Sequence, residues 1–181
     1  MTITIDPLNK TSLTTAEKML KKYIKNLPQK CEKIAQRLSN IGSAMADSVF
    51  GNAVYDLDMD GVPRGNPGIS VFVEGPAVSN GKIVYTIIAD GWNVAFVEFG
   101  AGVYYNSGGD PYHETRPEGI VGIGEYGRGS GKREWWAFKA PEHNGDTYMT
   151  HGTPEQPGMY LASKAMRDSL EQIAIEVFKD D

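Results

Sequence analysis

The sequence is poor in the residue types that form covalent cross-links and metal sites. It has one cysteine, Cys31, and three histidines among 181 residues. A disulfide within the chain is therefore excluded, as is a structural site built from four thiolates. No apolar run approaches the length of about 20 residues that spans a bilayer. The opening MTITIDPLNK has no basic segment followed by an apolar core, so we expect no secretory signal and a reducing compartment.

Charge is divided unevenly along the chain. Residues 1–37 carry eight Lys or Arg and three acidic residues, a net charge of +5. Residues 38–181 carry ten basic and twenty acidic residues, a net charge of −10. A basic segment on an acidic body is typical of a solvated helix face or of contact with an acidic partner, and Lys21 and Lys25 are our candidate contact residues. Because the whole chain has a net charge of −5, which repels phosphate, we rank DNA contact below protein contact.

Helical patterns lie at both ends of the sequence. Residues 1–13 are predicted to form an extended arm, and Thr14 with Glu17 forms a capping box that begins a helix. Pro28 is expected to interrupt that helix and to begin a second one, which ends near Gly51. Apolar residues at steps of three and four, starting with Cys31, predict the buried face of this second helix. Residues 159–178 predict a C-terminal helix.

Strand patterns occupy the middle of the chain. Segments 69–75, 82–90 and 93–100 are rich in β-branched and aromatic residues and predict antiparallel strands. Asn80-Gly81 is typical of a two-residue hairpin turn, and 133–140 predicts a fourth strand. The Gly- and Tyr-rich residues 100–133 predict a long insertion loop. The chain is thus predicted to form a single α+β domain, an antiparallel sheet packed by a long N-terminal helix and a C-terminal helix.

Two motifs resemble ligand sites but lack a necessary part. Gly122–Gly127 matches G-x-G-x-x-G. However, the residues after it do not predict a helix, whose N-terminus would be needed to bind a pyrophosphate. Asp56, Asp58 and Asp60 match the start of a calcium loop, but Pro67 stands where the closing glutamate is needed. We therefore expect no catalytic residues, no cofactor and no resident metal. Weak cation binding at the three aspartates, or an acidic hairpin tip, stays open.

Three segments, taken in order, carry a resemblance to a known family. They are VEFGAG at 97–102, WWAF at 135–138 and GTPEQPGMYLA at 152–162. This arrangement resembles the head–tail joining, or tail-completion, family of tailed bacteriophages and prophages over about residues 14–178. Ala101 stands where that family usually has threonine, and Met159-Tyr160 replaces the usual aromatic residue at the entry to the last helix.

The resemblance implies a structural protein of the virion, not an enzyme. Such a protein acts late in tail assembly, forms a ring of identical copies at the neck, and contacts connector, stopper, tail-terminator or tail-tube proteins. We expect it in the virion and, during assembly, in the host cytoplasm, with no membrane partner. The expected interface residues are Lys21, Lys25, Glu98, Phe99, Gly100, Gly102, Tyr104, Tyr105, Tyr112, Tyr126 and Trp135.

Two other interpretations of the sequence stay open. One is a tail-terminator ring subunit, which shares the layout of helices on a sheet. The other is a small bacterial enzyme or ligand-binding domain in which residues 100–133 act as a lid. A ring-shaped assembly would favour a virion role, whereas a monomer with a tight small-molecule ligand would favour the second interpretation.

Overall fold

The computed structural model describes residues 9–101, the backbone of 136–139, and residues 146–179. The elements in chain order are α1 (Lys10–Gly51), β1 (Tyr55–Leu57), β2 (Pro63–Gly65), β3 (Ser70–Ser79), β4 (Lys82–Asp90), α2 (Val94–Phe99), β5 (Trp136–Lys139), β6 (Thr147–Thr150) and α3 (Gly158–Lys179). The strands pair as three antiparallel two-stranded sheets, β1–β2, β3–β4 and β5–β6. The fold is α+β, as predicted, with a long N-terminal helix and a C-terminal helix.

Helix α1 is a single element of 42 residues, which corrects three predictions. It begins at Lys10, so residues 10–13 are not an extended arm, and residues 1–8 lie outside the described part of the chain. Asn9 caps the helix, because its side chain accepts hydrogen bonds from the amides of Thr11 and Ser12 at 2.9 and 3.3 Å. The capping box predicted at Thr14 is therefore wrong, and its hydroxyl donates instead to the Lys10 carbonyl.

Pro28 lies inside α1 and does not interrupt it. Proline lacks the amide that would donate to the carbonyl of Ile24, four residues earlier. Ile24 is 58% exposed, so water can hydrate that part of the helix. Packing beyond Pro28 holds the two halves in one helix, since α3 lies along α1 and Arg37 pairs with Glu176 at 2.6 Å.

After Pro28, the buried face of α1 lies about one residue later along the helix than the face predicted from the apolar spacing. The buried residues after Pro28 are Ser39, Gly42, Ala46 and Phe50, most of which are small. Small side chains let the axis of α3 approach closely. Cys31, which was predicted to pack in the core, is exposed.

The core lies where α1, the β3–β4 hairpin, α2 and the start of α3 meet. Its fully buried members are Ala46, Phe50, Val97 and Ala162. The hairpin packs one face on α1. Its turn, Asn80-Gly81, has φ angles of 51° and 74°, which confirms the turn predicted from the sequence.

The strand predicted at 93–100 is wrong, because Val94–Phe99 forms the short helix α2. The amide of Val97 donates to the Asn93 carbonyl at 3.0 Å, which is the helical pattern. Val97 and Glu98 are adjacent and both buried, whereas a strand on a sheet would bury alternate residues. The high strand propensity of this segment is overridden by tertiary packing.

Candidate functional site

Glu98 is a buried carboxylate that caps the N-terminus of α3. The residue is 7% exposed. One carboxylate oxygen accepts from the Met159 amide at 2.9 Å and the other accepts from the Tyr160 amide at 3.0 Å. These amides belong to the first turn of α3, where backbone donors have no partner within the helix. A negative charge here also interacts favourably with the helix dipole.

This geometry gives Glu98 a positioning role within the protomer. Its oxygens bond inward to α3, so the side chain fixes the distance between α2 and α3. Its contact with a neighbouring subunit, which the resemblance implies, stays a prediction. Phe99, next to it, is half-buried.

Gly100 and Ala101 bring the end of α2 against the segment that leads into α3. Gly100 has a φ angle of 71°, and a methyl group on it would lie 3.2 Å from the backbone nitrogen of Glu155. Both observations favour glycine at this position. The amide of Ala101 donates to the Thr153 carbonyl at 2.8 Å, and the Thr153 amide donates back at 3.3 Å. The VEFGA and GTPEQPG segments, separated in the sequence, therefore meet in one place.

Gln156 connects the end of α2 to the segment that follows α1. The sequence pattern did not single out this residue. Its side-chain amide donates to the Val54 carbonyl at 2.7 Å, and its side-chain oxygen accepts from the Val54 amide at 2.7 Å. Its own backbone amide donates to the Val97 carbonyl at 2.7 Å. The Gln156 side chain thus satisfies both backbone groups of Val54, which lies between α1 and β1, as a neighbouring strand would.

We expect Gln156→Ala to lower the free energy of unfolding by about 2 kcal/mol, because the half-buried amide and carbonyl of Val54 lose their partner. Urea denaturation followed by circular dichroism measures the effect. Gln172→Ala is the matched control, since the Gln172 side chain bonds to Glu176 on the exposed surface of α3. Equal stability of the two variants would contradict the bridging role.

The first half of α1 presents basic and apolar side chains together. Lys21 and Lys25 are exposed, and the Lys21 ammonium lies 2.6 Å from the Glu17 carboxylate. The hydrogen bond from Lys21 lowers the pKa of Glu17. Leu20 and Ile24 are more than half exposed beside these lysines. This helix surface therefore exposes positive charge and apolar area side by side.

The outer face of the β3–β4 hairpin carries two apolar cross-strand pairs. Phe72 stands opposite Ile88 and Ala77 opposite Val84 in the register of the two strands. Phe72 and Val84 are exposed, and an exposed polar pair of the two strands lies between the two apolar pairs on the same face. Clustered apolar side chains of this kind mark interaction surfaces. We call this set the hairpin face.

Two of the three aspartates, Asp58 and Asp60, lie in the turn between β1 and β2, and Asp56 lies in β1. β1 and β2 pair around this turn, with Leu57 opposite Pro63. One oxygen of Asp58 accepts from the amides of Asp60 and Val62, each at 2.9 Å. The hydrogen bond from Val62 is the main cause that lowers the Asp58 pKa. Among residues 9–101 and 146–179, no group of three His, Cys, Asp or Glu side chains could hold a metal ion.

The remaining interface candidates lie outside the described residues. They are Gly102, Tyr104, Tyr105, Tyr112, Tyr126 and Trp135, and with them most of the predicted loop 100–133. β5 at 136–139 confirms part of the strand predicted at 133–140.

Comparison with known proteins identifies no relative of this chain. No protein-family model, no curated protein and no solved structure matches it. In the part of the chain that the structure describes, none of the helices is long and apolar enough to cross a membrane.

Proposed function

We propose that this chain is a structural protein of a tailed phage or prophage that acts in tail completion and joins the head to the tail at the neck. The proposal rests on the resemblance carried by VEFGAG, WWAF and GTPEQPGMYLA. The observation that supports a building-block role most directly is the hairpin face. It presents the exposed apolar side chains of Phe72 and Val84 on one face of a two-stranded sheet.

A neighbouring subunit is the natural cover for the hairpin face. A two-stranded sheet is marginally stable alone, and packing on one side leaves the other face in water. Burial of apolar surface contributes roughly 25 cal/mol per Å², so covering Phe72 and Val84 favours association. The inner face is already packed on α1, which keeps the outer face in a fixed geometry.

Charge supports contacts between unlike surfaces. Residues 1–37 carry +5 and residues 38–181 carry −10, so one copy can set its basic helix against the acidic body of the next. Contacts of this head-to-tail kind generate rings when the rotation closes. The exposed Lys21 and Lys25 lie on the basic partner of such a pair.

We expect the double variant Phe72→Lys, Val84→Lys to weaken self-association at least tenfold while the monomer stays folded, because two charges replace exposed apolar contacts. Sedimentation velocity and native mass spectrometry give the oligomer distribution. The matched control is Trp92→Lys, since Trp92 is 98% exposed and lies outside the hairpin. An unchanged distribution in the double variant would remove the hairpin face from the interface.

The virion role has its own test. Tails assembled without this chain should fail to join filled heads, and the purified chain should restore joined particles counted by electron microscopy. We also expect its gene to lie among genes for portal, capsid and tail proteins. A chain that stays monomeric, leaves tails unchanged and turns over a metabolite would overturn the proposal in favour of an enzyme.

A further inference from the structure

A groove of about 490 Å³ runs between β4 and the two long helices. Five consecutive residues of β4, Ile83–Ile87, line one side of it. Because successive side chains of a strand point to opposite faces, a lining of consecutive residues means that the backbone edge of β4 faces the groove. Apolar side chains of α1 and α3 line the other side, among them Ala35, Leu38, Met159, Ala162 and Met166.

The edge of β4 that faces the groove is unpaired in the part of the chain that the structure describes. Within the described residues β4 pairs with β3 alone, and no turn or loop bonds to its other edge. An unpaired strand edge is a template for another strand, which gains main-chain hydrogen bonds along its length. An apolar wall beside that edge selects a strand with an apolar residue at every second position. The groove therefore fits an extended segment of alternating character.

The N-terminus of this chain has that character. Thr2-Ile3-Thr4-Ile5 alternates hydroxyl and apolar side chains, and all four residues are β-branched. β-branched residues favour strands. In an added strand, Ile3 and Ile5 would share one face, so both can enter the apolar side of the groove while the threonines face water.

Distance decides which copy supplies the segment. Ala35 lies 25 residues after Lys10 in the same helix, which is about 38 Å at the helical rise per residue. Ile5 lies five residues before Lys10, so even a fully extended chain carries it no farther than about 18 Å from the helix start. We call residues 1–6 the arm. The arm cannot reach the groove of its own protomer, whereas the arm of a second copy can approach that groove from any distance.

We propose that residues 2–6 of one copy add as a strand to the free edge of β4 in a second copy, with Ile3 and Ile5 in the groove. The contact joins unlike surfaces, an arm on one side and a groove on the other, so it propagates from copy to copy until a ring closes. The proposal rests on the self-association proposed above and specifies how the copies are linked.

Cross-linking tests the arrangement directly in the full-length chain. Cys31→Ser is made first, and Ile5→Cys and Thr86→Cys are then placed in separate proteins, since Thr86 lines the groove. We expect a short bis-maleimide to join the two proteins at 5 and 86 after mixing, as mapped by mass spectrometry. Cross-linking of Thr86→Cys to itself, with no 5–86 product, would instead indicate two β4 edges paired together and would overturn the proposal.

A charge scan of the arm tests the face that enters the groove. Ile3→Lys, Ile5→Lys should weaken association at least tenfold, whereas Thr2→Lys, Thr4→Lys should change it less than threefold. Thermal unfolding of each variant checks that the body is folded. Equal effects of the isoleucine and threonine double variants, or intact rings without residues 1–6, would refute binding of the arm in the groove. Neither result would contradict the proposed structural function. A wild-type chain that is monomeric at all concentrations would refute both proposals.

Discussion

Glu98→Ala is expected to lower the free energy of unfolding by about 3 kcal/mol, which is in the range for losing charge-assisted hydrogen bonds in a buried site. The variant leaves the amides of Met159 and Tyr160 without their carboxylate partner at the start of α3. Proline at 157 supplies no amide of its own, so the helix start depends on the remaining donors being satisfied. Urea denaturation monitored by tryptophan fluorescence gives the change.

Two variants separate the cap from a general loss of negative charge. Glu98→Gln keeps an acceptor oxygen and should cost about half as much, since one of the two hydrogen bonds can persist. Glu74→Gln removes a carboxylate from the exposed surface of β3 and should change stability by less than about 0.5 kcal/mol. If Glu98→Ala is as stable as Glu74→Gln, the carboxylate does not hold α3.

Phe50→Ala is expected to cost about 4 kcal/mol, because it empties a fully buried site at the centre of the core. Phe50 is 1% exposed and is among the largest side chains buried in the described residues. The loss should appear as a lower midpoint of urea unfolding with nearly unchanged slope.

Gly158 provides an internal check on that core. A methyl group on Gly158 would lie 2.8 to 3.0 Å from three atoms of the Phe50 ring, so Gly158→Ala alone should destabilise by about 2 kcal/mol. In the Phe50→Ala background the same methyl group meets empty space, and its cost should disappear. The double-mutant cycle therefore has a coupling of about 2 kcal/mol. Additive effects would mean that the ring and the helix start do not contact each other as described.

Local signals in the sequence predicted those parts of the fold that local chemistry determines. Asn80-Gly81 specifies a turn with two positive φ angles, and that turn sets the pairing of residues 77–79 with residues 82–84, up to a register shift between Glu74 and Ala77. The C-terminal helix follows from apolar spacing alone. The acidic hairpin tip at Asp58 was one of the two interpretations left open, and the Asp58 side chain indeed closes the turn between β1 and β2.

Features set by tertiary packing could not be predicted in this way. The segment VAFVEF has strand-forming residues, but burial of Val97 and Glu98 against α1 and α3 makes it a helix. Pro28 gives a strong local signal for a break, which packing of α1 along α3 overrides. Gln156 was missed because a glutamine in a Pro-rich segment has no spacing signal. Its partner, Val54, lies about 100 residues earlier in the sequence.

The paired backbones of Ala101 and Thr153 have a consequence for how this chain tolerates change. By Thr150, which is 1% exposed and donates to the Leu57 carbonyl at 2.8 Å, the chain is already packed against the N-terminal half. Residues 9–101 and residues 146–179 are thus joined by hydrogen bonds as well as by the peptide backbone. A single proteolytic cut between these two segments should therefore leave two fragments that stay bound to each other.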